Sequence, residues 1–214
     1  MTGRVFWALP PAIAEADSEL VARFDAALEE GERRAAGHVA CRVGCTECCM
    51  GAFDITALDA ARLLHGLAEL ARTEPAAARG VRARAAELWG RMGAEFPGDV
   101  ATGVLSEDDG ARTRFFARFA DRPCPALDPH DGSCAVYRWR PLSCRTFGLP
   151  VRFGPQLLAP CTLNFTSAGA DEVAAATVEP DPDDREGRLL ELSAANGVAG
   201  DTTVAAAIAT APTE

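Results

Sequence analysis

Four cysteines fall within nine residues in the stretch "CRVGCTECC", at Cys41, Cys45, Cys48 and Cys49. Four more follow: Cys124, Cys134, Cys144 and Cys161. Thiols at this density do one of three things: they pair as disulfides, ligate metal, or carry redox chemistry. A lone cysteine is most simply a small buried hydrophobe. Eight, with half of them bunched, point instead to metal ligation. Disulfides meet two objections. Cys48 and Cys49 cannot bridge each other without strain, and the compartment expected from the N-terminus is reducing.

All-thiolate sites select zinc, Fe–S clusters or copper(I). Four thiolates close a structural zinc site, or hold a [4Fe–4S] cube. The first spacing, C-x3-C-x2-C-C, also contains the C-x3-C-x2-C signature of radical S-adenosylmethionine enzymes. Those enzymes often place an aromatic before the third cysteine, where this chain has Glu47. They also need a long alternation of strands and helices, which this chain lacks. On a helix, at about 100° per residue, all four thiols of the first cluster would share one face. On a loop, the neighbouring Cys48 and Cys49 side chains are expected to diverge. That divergence would favour a polynuclear cluster or two metal sites over one ion held by both.

The elements that must position these thiols read as mainly α. The fold class expected is helices around an irregular cysteine-rich patch, with one small β-hairpin. Helical periodicity runs over Asp17–Ala36, where Leu20, Phe24 and Leu28 line one face. It recurs over Ala57–Arg72 behind a Thr56 N-cap, and over Pro75–Phe96. Residues 97–110 read as a loop, and "ARTRFFARFAD" as a short helix. From Cys124 to Cys161 prolines and glycines punctuate the chain and periodicity disappears. "GLPVRFGPQLLAP" suggests a hairpin turning at Gly154-Pro155, and "DDREGRLLELSAANG" another helix. The closing "DTTVAAAIATAPTE" reads as a weak helix or a frayed tail. Neither repeats nor an inter-domain linker stand out. The expectation is a single domain over 1–214, with a cysteine-cluster core at about 38–165, an N-terminal helix and an acidic C-terminal extension.

The net charge of -10 over 214 residues argues against a nucleic-acid surface and against docking on anionic lipid. No apolar run reaches the ~18 residues of a membrane span. The opening "MTGRVFWALPPAIAEADSEL" is broken by Pro10 and Pro11 and does not read as a signal peptide. A cytoplasmic location is therefore expected. The chain has no lysine, so any fixed cation near the thiols must be an arginine. No Ser/His/Asp arrangement, P-loop or dinucleotide fingerprint is present.

With "CRVGCTECC", "CPALDPHDGSCAVYRWRPLSCRTFG" and Cys161 in view, the chain resembles the YkgJ-type cysteine-cluster family, named for a C-x2-C-x2-C-C pattern and for chelation of zinc or iron. Cys41, Cys45, Cys48 and Cys49 match the first block, with three residues instead of two in the first gap. Cys124-Pro125 and the Asp131-Gly132-Ser133 turn before Cys134 correspond to the second. Tyr137, Arg140, Pro141, Cys144, Arg145 and Phe147 match its most specific part, and Cys161 the final cysteine. The resemblance covers about residues 38–165. It implies a metal-binding protein with a cysteine-ligated Fe–S or zinc centre, the eight cysteines being the candidate ligands. Some relatives resemble flagellin lysine methylases, which implies a second possibility, an Fe–S-dependent enzyme using S-adenosylmethionine. A structural zinc module is a third.

Arg138, Arg140 and Arg145 lie among the thiols in sequence. Arg140 and Arg145 are the candidates for contacting a bound cofactor, by compensating thiolate charge or gripping an anionic group; bonding to loop carbonyls is the alternative. Pro141 reads as a helix-start residue. Tyr137 and Phe147 read as core around the site. His38, His65 and His130 could ligate zinc or iron; His130, close to Cys124 and Cys134, is the best placed of the three but reads as a turn residue, and His65 as a helix-surface or packing residue.

Overall fold

The computed structural model describes residues 7–212. The chain is mainly α, with eight α-helices and two two-stranded antiparallel sheets among the described residues. Helix α1, Pro11–Arg34, begins six residues before the predicted start because Pro11 occupies the first turn, where its missing N–H costs nothing. Ile13, Asp17, Leu20, Phe24 and Leu28 recur along its buried face. Helix α2, Ala57–Thr73, starts on a capping box in which Thr56 and Asp59 satisfy each other's backbone N–H groups. Helix α3, Pro75–Met92, follows almost at once.

Residues 97–110 are not a plain loop. They contain a minimal hairpin, β1 (Gly98–Asp99) on β2 (Val104–Leu105). Helix α4, Asp109–Arg118, is capped by Asp108, and α5, Leu142–Thr146, starts at Pro141 as its sequence suggests. The second hairpin, β3 (Val151–Phe153) with β4 (Gln156–Leu158), turns at Gly154-Pro155. Helices α6 (Ala170–Ala176), α7 (Arg185–Ala195) and α8 (Val204–Thr210) complete the order. Of the two readings of the closing segment, weak helix or frayed tail, the structure has the helix: Val204 to Ile208 are all buried, against α2 and α3.

The largest core joins α2, α3 and α8 through Leu63, Leu67, Val81, Ala85, Ala207 and Ile208. Ala126 and Val136, from the cysteine region, are buried in the same cluster, and Cys124 and Cys134 pack against it. A second core sets Leu149 and Val151 of the hairpin arm against Leu28 of α1 and Ala176 of α6. No described helix is long and apolar enough to cross a membrane.

One polar junction ties these parts together. Arg62 is buried and donates to both oxygens of Asp17, at 2.9 and 2.6 Å, and to Asp59 at 2.7 Å. Asp59 also accepts the backbone N–H of Leu142 at 2.9 Å, the first residue of the helix that carries Cys144. Removing one partner of a buried ion pair strands the other charge, at a cost of about 3–5 kcal/mol. Asp17→Ala is expected to lower the urea unfolding free energy by roughly 3 kcal/mol. A loss under about 1 kcal/mol would mean the junction is not load-sharing in this way.

Candidate metal centre

The first cysteine cluster is not a helix. It runs as an irregular segment with a single 3-10 turn at Glu47–Cys49, so Cys41, Cys45 and Cys49 do not stack one turn apart. The segment is stitched to the second block by backbone. Cys124 N–H donates to Cys49 O at 2.7 Å, and Met50 bridges Pro123. The Asp131-Gly132 turn presses on Gly44. A Cβ at Gly132, whose φ is +71°, would stand 3.1 Å from the Gly44 Cα. Only glycine permits that approach at that dihedral.

Cys161 closes the patch from the other side. Its N–H reaches Gly148 O at 3.4 Å. Asn164, three residues on and 5% exposed, accepts from Ala40 N–H at 2.8 Å and donates to Gly148 O at 2.6 Å and to Cys41 Sγ at 3.6 Å. The two cysteine blocks therefore converge, through the Cys49–Cys124 backbone bond and through Asn164 between Cys41 and Cys161, and all eight cysteines are free thiols. Their order does not come from metal alone, since Ala126, Val136, Leu142, Leu149 and Val151 anchor the irregular block by burial.

The thiols act on each other. Burial raises the Cys144, Cys134 and Cys124 thiols above their usual range, the last to about 12. Repulsion from Cys48 adds to all three. Cys48 is the exception, drawn below the usual thiol range chiefly by its sulfur–sulfur hydrogen bond with Cys49, with help from Arg140; Cys49 is pushed up in return. At the other end burial raises Cys41. The Asn164 amide opposes that shift, and Cys45, Cys161 and Cys48 reinforce it. So the patch has two ends: Cys49 is bonded through backbone to Cys124, with Cys48, Cys134 and Cys144 acting on that end, and Asn164 joins Cys41 to Cys161 at the other.

The Cys48 and Cys49 side chains do not diverge. Their sulfurs lie 3.9 Å apart, close to the edge of about 3.8 Å that a tetrahedral zinc site with Zn–S near ~2.3 Å requires. The 3-10 turn, which neither a helix nor an extended loop anticipates, brings them side by side. The thiols are gathered without being closed into a ligand shell: among the described residues, no group of three or more His, Cys, Asp or Glu side chains stands in coordinating geometry. The donor set itself, soft thiols mutually hindered from ionising, fits zinc or iron, since a cation would offset the repulsion.

The arginines divide. Arg140 sits over the Tyr137 ring at 3.9 Å and eases ionisation of both Cys48 and Cys134. Arg145 is committed elsewhere, pairing with Asp25 of α1 and donating to the carbonyls of Arg138 and Arg140. Tyr137 and Phe147 are not core, at 63% and 46% exposed. His130 is an exposed turn residue whose N–H bonds Asp128, His65 lies on the surface of α2, and His38 stacks on Phe165 and meets Glu172. Asn164 went unnoticed in the sequence because an isolated Asn in "CTLNF" carries no spacing signal.

Beside the patch lies a cavity of about 570 Å³ whose wall includes Cys161, Ser143, Phe147, Phe153, Asp59 and Glu186. Burial, reinforced by Asp59 and opposed by Arg62, pushes the Glu186 carboxyl up to about 7. A raised carboxyl is neutral in both folded and unfolded chains at low pH. Between about pH 4.5 and 7 only the unfolded chain ionises, so stability falls as pH rises through that window. Glu186→Gln is therefore expected to be more stable than the wild type at pH 8, by on the order of 1 kcal/mol for a partly solvated group, and equal to it at pH 4. Parallel urea titrations at the two pH values decide it, and an equal difference at both would exclude this cause.

A family model described as "CxxCxxCC: putative zinc- or iron-chelating domain" matches residues 40–162, more than half the chain. No curated protein and no solved structure gives a significant match.

Proposed function

The chain belongs to this CxxCxxCC family, and from that premise we propose that its eight cysteines bind zinc or iron as thiolates, at more than one metal position. The observation that carries the reading is that the thiols are held at two places, Cys49 to Cys124 by a backbone bond and Cys41 to Cys161 through Asn164. Eight thiols exceed what one tetrahedral ion takes. Two ions, or a cluster, use the set. The count and the two points of attachment support this; the adjacency of Cys48 and Cys49 does not, because their 3.9 Å separation suits a shared ion equally well. Arg140 would offset the net negative charge that several thiolates leave around a divalent ion. A reducing cytosol is the compartment that keeps such thiols available.

The test is anaerobic purification followed by metal and acid-labile sulfide analysis. More than one zinc or iron per chain is expected. Iron with sulfide identifies a cluster, zinc without sulfide identifies ions, and one ion or none per chain would sink the proposal. Cys45→Ser should lower the metal content.

Metal removal should act on the loops before the helices. After chelation, the far-UV helical signal is expected to persist while residues 124–161 become open to protease. Complete loss of helicity on chelation would instead make the metal the organiser of the whole fold.

A second reading, catalysis at the centre, is favoured by the cavity that reaches Cys161. Its size falls in the ~300–1,000 Å³ range of small-molecule sites. S-adenosylmethionine, implied by the methylase resemblance, belongs to this reading. Calorimetric titration of the metal-loaded protein with S-adenosylmethionine checks it; an absence of heat at millimolar ligand counts against it.

A further inference from the structure

We infer that Asn164 is a positioning residue that sets where the Cys41 sulfur sits, and that it governs the metal held at the Cys41–Cys161 end of the patch without governing the Cys48 end. The inference rests on the metal-binding reading above.

Every polar group of the buried Asn164 amide is used, and all of its contacts lie around one sulfur. Its oxygen accepts the N–H of Ala40, the residue before Cys41, at 2.8 Å. One N–H goes to Gly148 O at 2.6 Å, and the nitrogen also lies 3.6 Å from Cys41 Sγ. Its backbone N–H bonds Cys161 O at 2.9 Å. A single side chain thus holds the Cys41 strand against the segment that follows Cys144, and its own backbone holds Cys161. A bracing residue needs the first two bonds. The N–H aimed at sulfur is what a brace does not need and a thiolate does, because a hydrogen bond to the charged form stabilises it.

Two neighbouring features are built around the same contact. Gly148 leaves room for the sulfur: a Cβ there would stand 3.2 Å from Cys41 Sγ and 3.4 Å from the Asn164 nitrogen. Phe165, the next residue, has φ +56°, a left-handed conformation disfavoured for a bulky side chain. It is held there by its N–H to His38 O at 2.8 Å and by its ring against His38. Strained backbone persists where the surroundings over-determine it, and here it fixes the angle at which Asn164 enters the patch. Asn164 is the right amide for the position. Aspartate has the same shape but no N–H, and would set a carboxylate against both Gly148 O and a Cys41 thiolate.

The probe is cobalt(II), loaded anaerobically into the full-length wild type and variants, with cobalt per chain and the ultraviolet sulfur-to-cobalt charge-transfer bands as readouts. Asn164→Asp is expected to lose one metal position's share of cobalt and of band intensity. Cys41→Ser should lose the same share, and the double variant no more than either alone. Cys134→Ser should remove a different share, additive with that of Asn164→Asp. Gly148→Ala keeps the Asn164 amide but crowds the sulfur, and is expected to match Asn164→Asp; it carries the test if Asn164→Asp does not fold by circular dichroism. Wild-type cobalt content and bands in a folded Asn164→Asp or in Gly148→Ala would overturn the inference. So would loss of cobalt from the whole patch, which would make Asn164 a general brace. A wild type that takes no cobalt would sink the metal reading and this inference with it.

Discussion

The buried guanidinium of Arg62 is the contact on which the arrangement of the thiols depends. A charge out of water must be paired and fully hydrogen-bonded. Asp17 meets that need from α1 and Asp59 from within α2. Asp59 has a second duty, since the oxygen that takes Arg62 also takes the N–H of Leu142. The junction therefore sets α1 against α2 and fixes the start of the short helix bearing Cys144. Arg145, one residue beyond Cys144, returns to Asp25 on the same face of α1. Two arginines that look interchangeable as cofactor contacts in the sequence thus have different duties: Arg145 holds the scaffold, and Arg140 faces the sulfurs.

What the scaffold holds in place is electrostatically awkward. Burial disfavours the thiolate at Cys124, Cys134 and Cys144, and each sulfur that ionises makes the next harder to ionise. The protein offsets part of this with the backbone N–H groups of Ala126 and Leu127 at Cys124 and of Val136 at Cys134, with Arg140, and with the Asn164 N–H at the other end. A hydrophobic core would never select such an arrangement. A soft cation resolves it, because it reverses the sign of the interaction each thiolate feels. The two ends of the patch follow from where the two blocks enter. Cys124 is tied to Cys49 by backbone, and Cys161 is tied through Gly148 and Asn164 to Cys41.

The longer helices were legible in the sequence because they bury a stripe at 3.6-residue spacing, as with Leu20, Phe24 and Leu28 on α1, or start on a recognisable cap, as with Thr56 at α2; the short α6, with one buried residue, was not. The hairpin was legible from Gly154-Pro155. Helix α8 was legible only as one of two alternatives, because its run of alanines has no polar face to define a stripe; its burial by α2 and α3 is a tertiary fact. The membership of the patch was legible from cysteine spacing, but its internal geometry was not. Whether Cys48 and Cys49 converge depends on one 3-10 turn. Tyr137 and Phe147 carry apolar rings that suggest core, yet the irregular backbone turns both outward. Asn164 acts through three contacts from distant parts of the chain, and no local pattern encodes that.

The same comparison bears on how far folding and metal binding are one event. A region without periodicity ought to owe its order to ligation. Here that holds only in part. Ala126 and Val136 sit inside the core made by α2, α3 and α8, and Leu149 and Val151 inside the one made with α1 and α6. The irregular block is thus pinned at its ends by burial, about 25 cal/mol for each Å² of apolar surface removed from water. Away from the pins the turns around Cys45 and Asp131 have backbone bonds but little buried area. Cys45 lies in one of those turns and Cys134 just after the other. A metal therefore has the most to stabilise at the points the scaffold holds least, and its binding energy acts on the geometry of the patch before it acts on the stability of the helices.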